Sequence, residues 1–217
     1  AALRIETEDL ITELRTRRPE LVARSDEGRY QEAAQHASVA RWLLGFHAAL
    51  ARGATEQAAT LLAIRDALMA DNLTYMVARE RGRGKLLVFA HNAHLQRGKA
   101  ILPWYSFWPA GSHLDAMLGA RYAVIGSAVG VSEANGIGHP EPDTLEARLT
   151  ASRELALFIP THRGRGLPAD EIAALPTRSG STKNQTYTAL TAHSLTDFDV
   201  LAVLRSTAYL RGGPPLP

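Results

Sequence analysis

The feature that most constrains the fold of this chain is an unbroken apolar run, Leu86 to Ala90, that ends at two histidines. The run follows a glycine-rich basic turn and has the length of a central strand covered on both faces in a parallel sheet. His91 and His94 come where this strand is expected to end. Because ligands bind outside the carboxyl ends of strands in open α/β sheets, the histidine pair is the leading candidate for a functional site.

Helical and strand patterns alternate along the chain. Apolar residues at helical spacing predict three long helices, at residues 3–24 with a break near Pro19, 26–52 ending at Gly53, and 55–80. Besides residues 86–90, apolar runs predict strands at residues 122–129, 155–160 and 199–204, with short helices at 113–120 and 144–153. These patterns predict an α/β fold with a mainly parallel sheet, helices packed on it and a helical N-terminal third.

The length of 217 residues suits a single α/β domain with a proper core. We divide it into a helical part at residues 1–82, alternating strands and helices at 83–210, and a tail at 211–217. The chain begins without methionine and runs straight into a helical pattern. We therefore expect it to be a fragment, or a processed part, of something longer.

The composition excludes several classes of function. The net charge is +2, with acidic and basic residues mixed along the chain, so we predict neither a nucleic-acid partner nor a membrane surface. The absence of cysteine excludes disulfides and thiolate metal sites, and it is typical of a cytoplasmic protein. No stretch approaches the roughly 20 apolar residues of a membrane span, and we predict no cofactor.

The spacing of the histidine pair leaves three interpretations open. Residues three apart on one turn share a face, so the two imidazoles can act together on a water or a substrate oxygen. They can also bind a metal if His113 or His139 supplies a third ligand, although no HExxH spacing is present. Finally, both can be ordinary structural histidines.

Arg65 and Asn72 interrupt the apolar stripe of the helix that leads into the run. They lie two turns apart on one row, so both can face the histidine turn; alternatively Arg65 lies at the helix margin and pairs with an acidic neighbour or solvent. An aromatic stretch at residues 103–108 is typical of a pocket wall. The sequence has no GxSxG elbow, P-loop or GxGxxG motif.

The segments Ile64–Asn72 (IRDALMADN) and Leu87–His94 (LVFAHNAH) resemble the erythromycin esterase family, including relatives labelled succinoglycan biosynthesis proteins. The resemblance implies hydrolysis of a small-molecule ester or lactone by an activated water, without a metal or a covalent acyl-enzyme. It implies that His91 and His94 orient the water, polarise the carbonyl or protonate the leaving alkoxide. Arg65 would stabilise the oxyanion, and Asn92 would support the turn.

One departure from the family pattern limits this expectation. Family members carry a Gly-Glu-x-x-His-Gly motif near their start, and this chain has none; Glu32 and His36 have the wrong spacing. We therefore expect the C-terminal half of such a protein, with half of the active site and with an N-terminal segment of the same protein as partner. Without a principal general base, the rate of this chain alone should be lower by roughly 10²–10⁴-fold. The alternative is a catalytically inactive module that binds a ligand or partner through residues 103–108.

Overall fold

The computed structural model describes residues 2–53, 57–102, 105–165, 168–181, 183–184 and 186–207. The chain divides into two compact units: Ala1–Phe89 with Lys99–Leu114, and Ala90–Gly98 with Asp115–Pro217. The single domain over residues 1–217 stays a prediction. The predicted tail at 211–217 lies outside the described residues.

The first unit consists mainly of helices, as the spacing of apolar residues predicts. Its helices are α1 (Ala2–Thr16), α2 (Arg18–Arg24), α3 (Glu27–Arg52) and α4 (Gln57–Arg79). The predicted break near Pro19 falls between α1 and α2, with the proline in the first turn of α2. Asp26 caps α3 by accepting a hydrogen bond from the backbone N–H of Arg29 at 2.8 Å, and Gly53, at φ 60°, ends it.

The core of the first unit lies where α3 packs against α1 and α4. Its buried side chains include Ile11, Tyr30, Ala37, Ala49 and Ala70. An antiparallel pair of short strands, β1 (Ala100–Leu102) and β2 (Tyr105–Phe107), packs against α4. The strands predicted from the sequence do not include this pair, so it is a difference from the prediction.

The second unit is built on a three-stranded sheet. Its strands are β3 (Ile125–Val131), β4 (Ala156–Pro160) and β5 (Val200–Ser206), in the order β3-β5-β4. β3 runs parallel to β5, and β4 runs antiparallel to it. The three predicted strands are confirmed and the protein is α/β, but the sheet among the described residues is mixed.

Short helices accompany this sheet. They are α5 (Asn92–Leu95), α6 (Ala110–Leu118, which begins in the first unit), α7 (Leu145–Leu149), α8 (Ala169–Ala173) and α9 (Ser194–Asp197). No helix of the described chain is both long and apolar enough to cross a bilayer.

The two faces of the sheet differ in their cover. One face carries the core of the unit, formed by Val124, Leu145, Leu190, Leu195, Phe198, Leu201 and Val203. The other, which we call the open face, consists of rows fixed by the strand register: Ile125–Val200–Pro160, Ser127–Ala202–Phe158 and Val129–Leu204–Ala156. Phe158 is 70% exposed and Ile125 57% exposed. A sheet face that meets water is normally polar, and in these three rows Ser127 is the one polar member.

The prediction of a buried central strand at residues 86–90 is wrong in this structure. The segment has no assigned secondary structure, and burial alternates along it: Leu86 and Val88 are half-buried, whereas Leu87 is 92% and Phe89 fully exposed. An apolar run favours burial of a segment. A strand also needs a neighbouring strand to complete its backbone hydrogen bonds. None of the strands in the described part of the chain pairs with this segment.

Candidate active site

The structure places His91 and His94 on one short turn of the second unit. His91 is the N-cap of α5, with φ −63° and ψ 145°. Its ring Nδ1 accepts a hydrogen bond from the backbone N–H of Ala93 at 3.1 Å, and its carbonyl accepts from the N–H of His94 at 2.9 Å. These bonds fix the orientation of the His91 ring, since the ring itself caps the helix.

The surroundings of His91 favour its neutral form. Partial burial lowers the pKa of His91 from its ordinary value of 6.5; a hydrogen bond with the backbone of Thr186 acts against this shift, and the neighbouring charge of His94 adds to it. The residue still remains exposed to solvent. Because Nδ1 is the acceptor for Ala93, the neutral ring carries its proton on Nε2.

Asn92 joins the turn to the edge of β3. Its Nδ2 donates to the carbonyl of Ser127 at 2.7 Å, while its Oδ1 accepts from the backbone N–H of Ser127 at 3.0 Å and from the hydroxyl at 3.2 Å. The side-chain amide therefore pairs with both main-chain groups of one strand residue.

Arg97 anchors the other end of the turn in a buried ionic network. Its side chain is only 8% exposed and donates to Asp115 at 2.9 Å and to Asp199 at 2.6 Å. It also donates to the backbone carbonyls of Tyr122 and Asp197 at 3.1 and 3.2 Å. These four hydrogen bonds join the Arg97 guanidinium to residues of the second unit and satisfy donors that a buried cation cannot leave without partners.

The two aspartates before β5 have opposite shifts. Burial acts to raise the pKa of Asp199, but hydrogen bonds from Arg97, the Val124 N–H and Arg163 outweigh it, so this pKa lies below its usual value. Burial raises the pKa of Asp197, against a hydrogen bond of 2.8 Å from the N–H of Gly98. A Cβ on that glycine would overlap the Asp197 carboxylate, so the close approach requires glycine.

The buried side chain of Glu146 fixes the loop that contacts His91 through hydrogen bonds. The Glu146 side chain is 1% exposed, and its Oε1 accepts from the Leu190 N–H at 2.6 Å and from the Tyr187 hydroxyl at 3.3 Å. Burial and the nearby Glu146 charge raise the pKa of Tyr187 to about 12. Arg178 stacks on the Tyr187 ring at 5.3 Å. The hydroxyl is therefore a hydrogen-bond donor and not an acid at neutral pH.

The other predicted residues lie elsewhere. Arg65 is exposed on α4, in the first unit, whereas the histidine pair belongs to the second. Asn72 accepts a hydrogen bond from Gln35 of α3 at 2.6 Å. Of the aromatic stretch, residues 103 and 104 are outside the described part, and Trp108 is 55% exposed.

The metal interpretation required a third ligand beside the histidine pair. Across the described residues, no three His, Cys, Asp or Glu side chains are grouped so that they could hold a metal ion. The candidates His113 and His139 belong to different units.

Sequence reasoning missed three ionic residues that are buried or half-buried in the second unit, Arg97, Asp199 and Glu146. Charged side chains are expected at the surface, and nothing in their spacing marks these as buried. The one available signal was the pair of aspartates, Asp197 and Asp199, at the start of the apolar run that continues from Val200.

The sequence model of the erythromycin esterase family matches residues 2–207. The chain belongs to the erythromycin esterase family. Three solved structures share its fold and each covers 94% of it: a Bacillus cereus protein (TM-score 0.69, 17% identity), a succinoglycan biosynthesis protein (0.61, 19%) and an erythromycin esterase mutant in its open conformation (0.66, 15%). No curated protein matches the sequence.

The chain is shorter than the chains of those structures. It spans 51%, 49% and 52% of their lengths, respectively, which is about half in each case. At 15–19% identity these likenesses establish the fold. The resemblance found in residues 64–94 is confirmed at the level of the family.

Proposed function

We propose that this erythromycin esterase family chain carries part of a hydrolase site that cleaves ester or lactone bonds with a histidine-activated water. The observation that carries the proposal is the turn of α5, which presents two imidazoles and holds one of them neutral and oriented. Neutral, oriented imidazoles are what proton transfer to and from a reacting water needs near pH 7.

The two histidines take different parts in this proposal. While Nδ1 of His91 accepts from Ala93, its Nε2–H is a donor, suited to polarising the ester carbonyl or protonating the leaving alkoxide. His94 is then the imidazole that takes the proton from the attacking water. Arg65 stabilises the oxyanion, which requires a cation near the developing negative charge.

The remaining machinery is proposed to come from a partner segment. The chain lacks the Glu/His motif of the family, so we infer that an N-terminal segment of the same protein supplies it. The open face supports this inference, because eight apolar residues on one sheet face call for cover. In the assembled protein we expect a mainly parallel sheet and a cytoplasmic location.

The test is hydrolysis of p-nitrophenyl butyrate and of erythromycin, a macrolide lactone, by the gene product made in its native host. His91→Ala and His94→Ala are each expected to lower kcat by about 10²–10⁴. His139→Ala is the matched control, because it removes an exposed histidine from the same unit, and it should leave kcat unchanged. If all three variants keep the kcat of the unaltered protein, the proposal is wrong.

The alternative is an inactive module of the same fold that binds a ligand or a partner chain. The open face and the exposed Trp108 favour it. Calorimetry with a non-hydrolysable lactone analogue separates the two: binding by a gene product that turns over neither ester supports the module, and turnover excludes it.

A further inference from the structure

Asn92 lies between the two histidines, and its side chain bonds to β3 and not to solvent alone. We propose that Asn92 is the positioning residue of the site: its amide pairs with the main chain of Ser127 and fixes where His91 and His94 lie on the sheet edge. This inference rests on the proposed function and assigns Asn92 a role that is separate from the chemistry.

The pairing reproduces the pattern of a neighbouring strand. A peptide group at a sheet edge offers one N–H and one carbonyl, and the Asn92 amide meets both groups of Ser127, at 3.0 and 2.7 Å. The hydroxyl of Ser127 adds a third bond to the same amide oxygen. Aspartate lacks the donor for the carbonyl, so an amide is the side chain that satisfies both.

The turn transmits this attachment to both imidazoles. Asn92 is the first residue of α5, His91 precedes it directly, and His94 follows two residues later. The bonds from Ala93 N–H to the His91 ring and from His94 N–H to the His91 carbonyl make the turn one unit. A shift of Asn92 relative to β3 therefore shifts both rings.

The far end of the turn has its own anchor. Arg97 is held by Asp115 and Asp199, and these ion pairs do not involve Asn92. Without the Asn92 amide the turn keeps its anchor at Arg97 and loses its side-chain hydrogen bonds to β3. The expected consequence is a protein that folds but whose histidines are displaced, and displacement of about 1 Å can cost roughly 10²-fold in rate.

The experiment compares Asn92→Ala with Asn135→Ala in the gene product. Asn135 is a matched control, because its amide also bonds a serine of the second unit, the Ser132 hydroxyl at 2.8 Å. Two properties are measured: kcat and KM for p-nitrophenyl butyrate, and the pKa of His91 by NMR titration. Asn92→Ala should lower kcat about 10–100-fold with a smaller change in KM, and raise the His91 pKa toward its ordinary value. Asn135→Ala should change neither.

A second variant covers the case in which Asn92→Ala does not fold. Asn92→Asp keeps an acceptor for the Ser127 N–H and loses the donor to its carbonyl, so it should fold and still lower kcat. If the folded variant keeps the kcat and the His91 pKa of the unaltered protein, Asn92 has no positioning role.

The two readouts separate this inference from the proposed function. If no ester is hydrolysed by any form, but the His91 pKa moves in Asn92→Ala and not in Asn135→Ala, the positioning role stands and the hydrolase proposal fails. If esters are hydrolysed and Asn92→Ala changes neither quantity, the hydrolase proposal stands and the positioning role is wrong.

Discussion

The guanidinium of Arg97 and the carboxylate of Asp199 form an ion pair of 2.6 Å across 102 residues of sequence. Arg97 follows the histidine turn, and Asp199 directly precedes β5. The pair therefore ties the candidate site to the central strand of the sheet, so the stability of the second unit and the placement of the turn depend on the same contact.

Removing one partner of this pair should be costly. Asp199→Ala leaves the Arg97 cation buried with one carboxylate in place of two, and we expect a loss of about 3 kcal/mol in the free energy of unfolding. Urea unfolding followed by circular dichroism measures this change. Glu13→Ala, which breaks an ion pair with Arg17 on the surface of α1, is the control and should change stability little. If both variants lose the same free energy of unfolding, burial of Arg97 does not make its ion pair with Asp199 more important than a surface pair.

The two aspartates before β5 should respond to pH in opposite directions. The pKa of Asp199 is lower in the folded state than in the unfolded chain, so its contribution is present above about pH 4 and is lost as pH falls through the folded pKa. The pKa of Asp197 is raised, so stability falls as pH rises from about 4 through its folded pKa.

Amide replacements test this pair directly, with the free energy of unfolding measured from pH 3 to pH 7. Asp199→Asn should weaken the loss of stability on acidification. Asp197→Asn should remove the decline in stability as pH rises above about 4, because the amide oxygen still accepts a hydrogen bond from the Gly98 N–H without placing a charge in the interior. Identical pH profiles of the two variants would contradict the assignment.

The tautomer of His91 is a third expectation. With Nδ1 accepting from the Ala93 N–H, the ¹⁵N spectrum should show a protonated Nε2 and an unprotonated Nδ1 at pH 7.5. His139 is exposed and serves as the internal comparison. Activity should fall as pH drops through the lowered pKa of His91, below 6.5, because protonation of Nδ1 removes the acceptor for the Ala93 N–H and with it the orientation of the ring. A spectrum with Nδ1 protonated would reverse the assigned donor.

Substitution on the open face should alter association and not folding. Phe158 is 70% exposed in the middle row of that face, so Phe158→Thr keeps strand propensity while removing apolar surface. Analytical ultracentrifugation should show less self-association, with unchanged urea unfolding. Phe198→Thr is the contrasting variant, because this ring is 2% exposed in the core and its loss should lower stability by about 3–5 kcal/mol. If Phe158→Thr leaves self-association unchanged, the open face does not mediate it.

Local signals in the sequence were enough for most of the fold. The long helices follow from apolar spacing, and their ends follow from Asp26, Pro19 and Gly53, whose effects act within one turn. The strands at 125–131, 156–160 and 200–206 follow from continuous apolar runs. Residues 86–90 carry the same signal and form no strand, because periodicity says nothing about which neighbour completes the ladder.

The candidate site was predictable only in part. His91 and His94 were found because they directly follow an apolar run. The resemblance implied that Asn92 supports the turn, but neither its partner nor the role of Arg97 was predicted, because the partners are distant in sequence: Asn92 meets Ser127 over 35 residues and Arg97 meets Asp115 over 18. Such contacts are set by the tertiary fold, which a single sequence does not display.

The Asn92 amide also occupies hydrogen-bonding groups on the edge of β3 that no strand among the described residues pairs with, and Arg178 occupies the Val129 carbonyl of the same strand at 2.7 Å. An edge strand with unpaired groups is a template for strand addition between molecules, and fibres grow in that way. On β3 these groups are already engaged by side chains. Molecules that meet through this sheet should therefore meet face to face and form closed assemblies, and the protein should resist fibre growth along β3 despite its apolar surface.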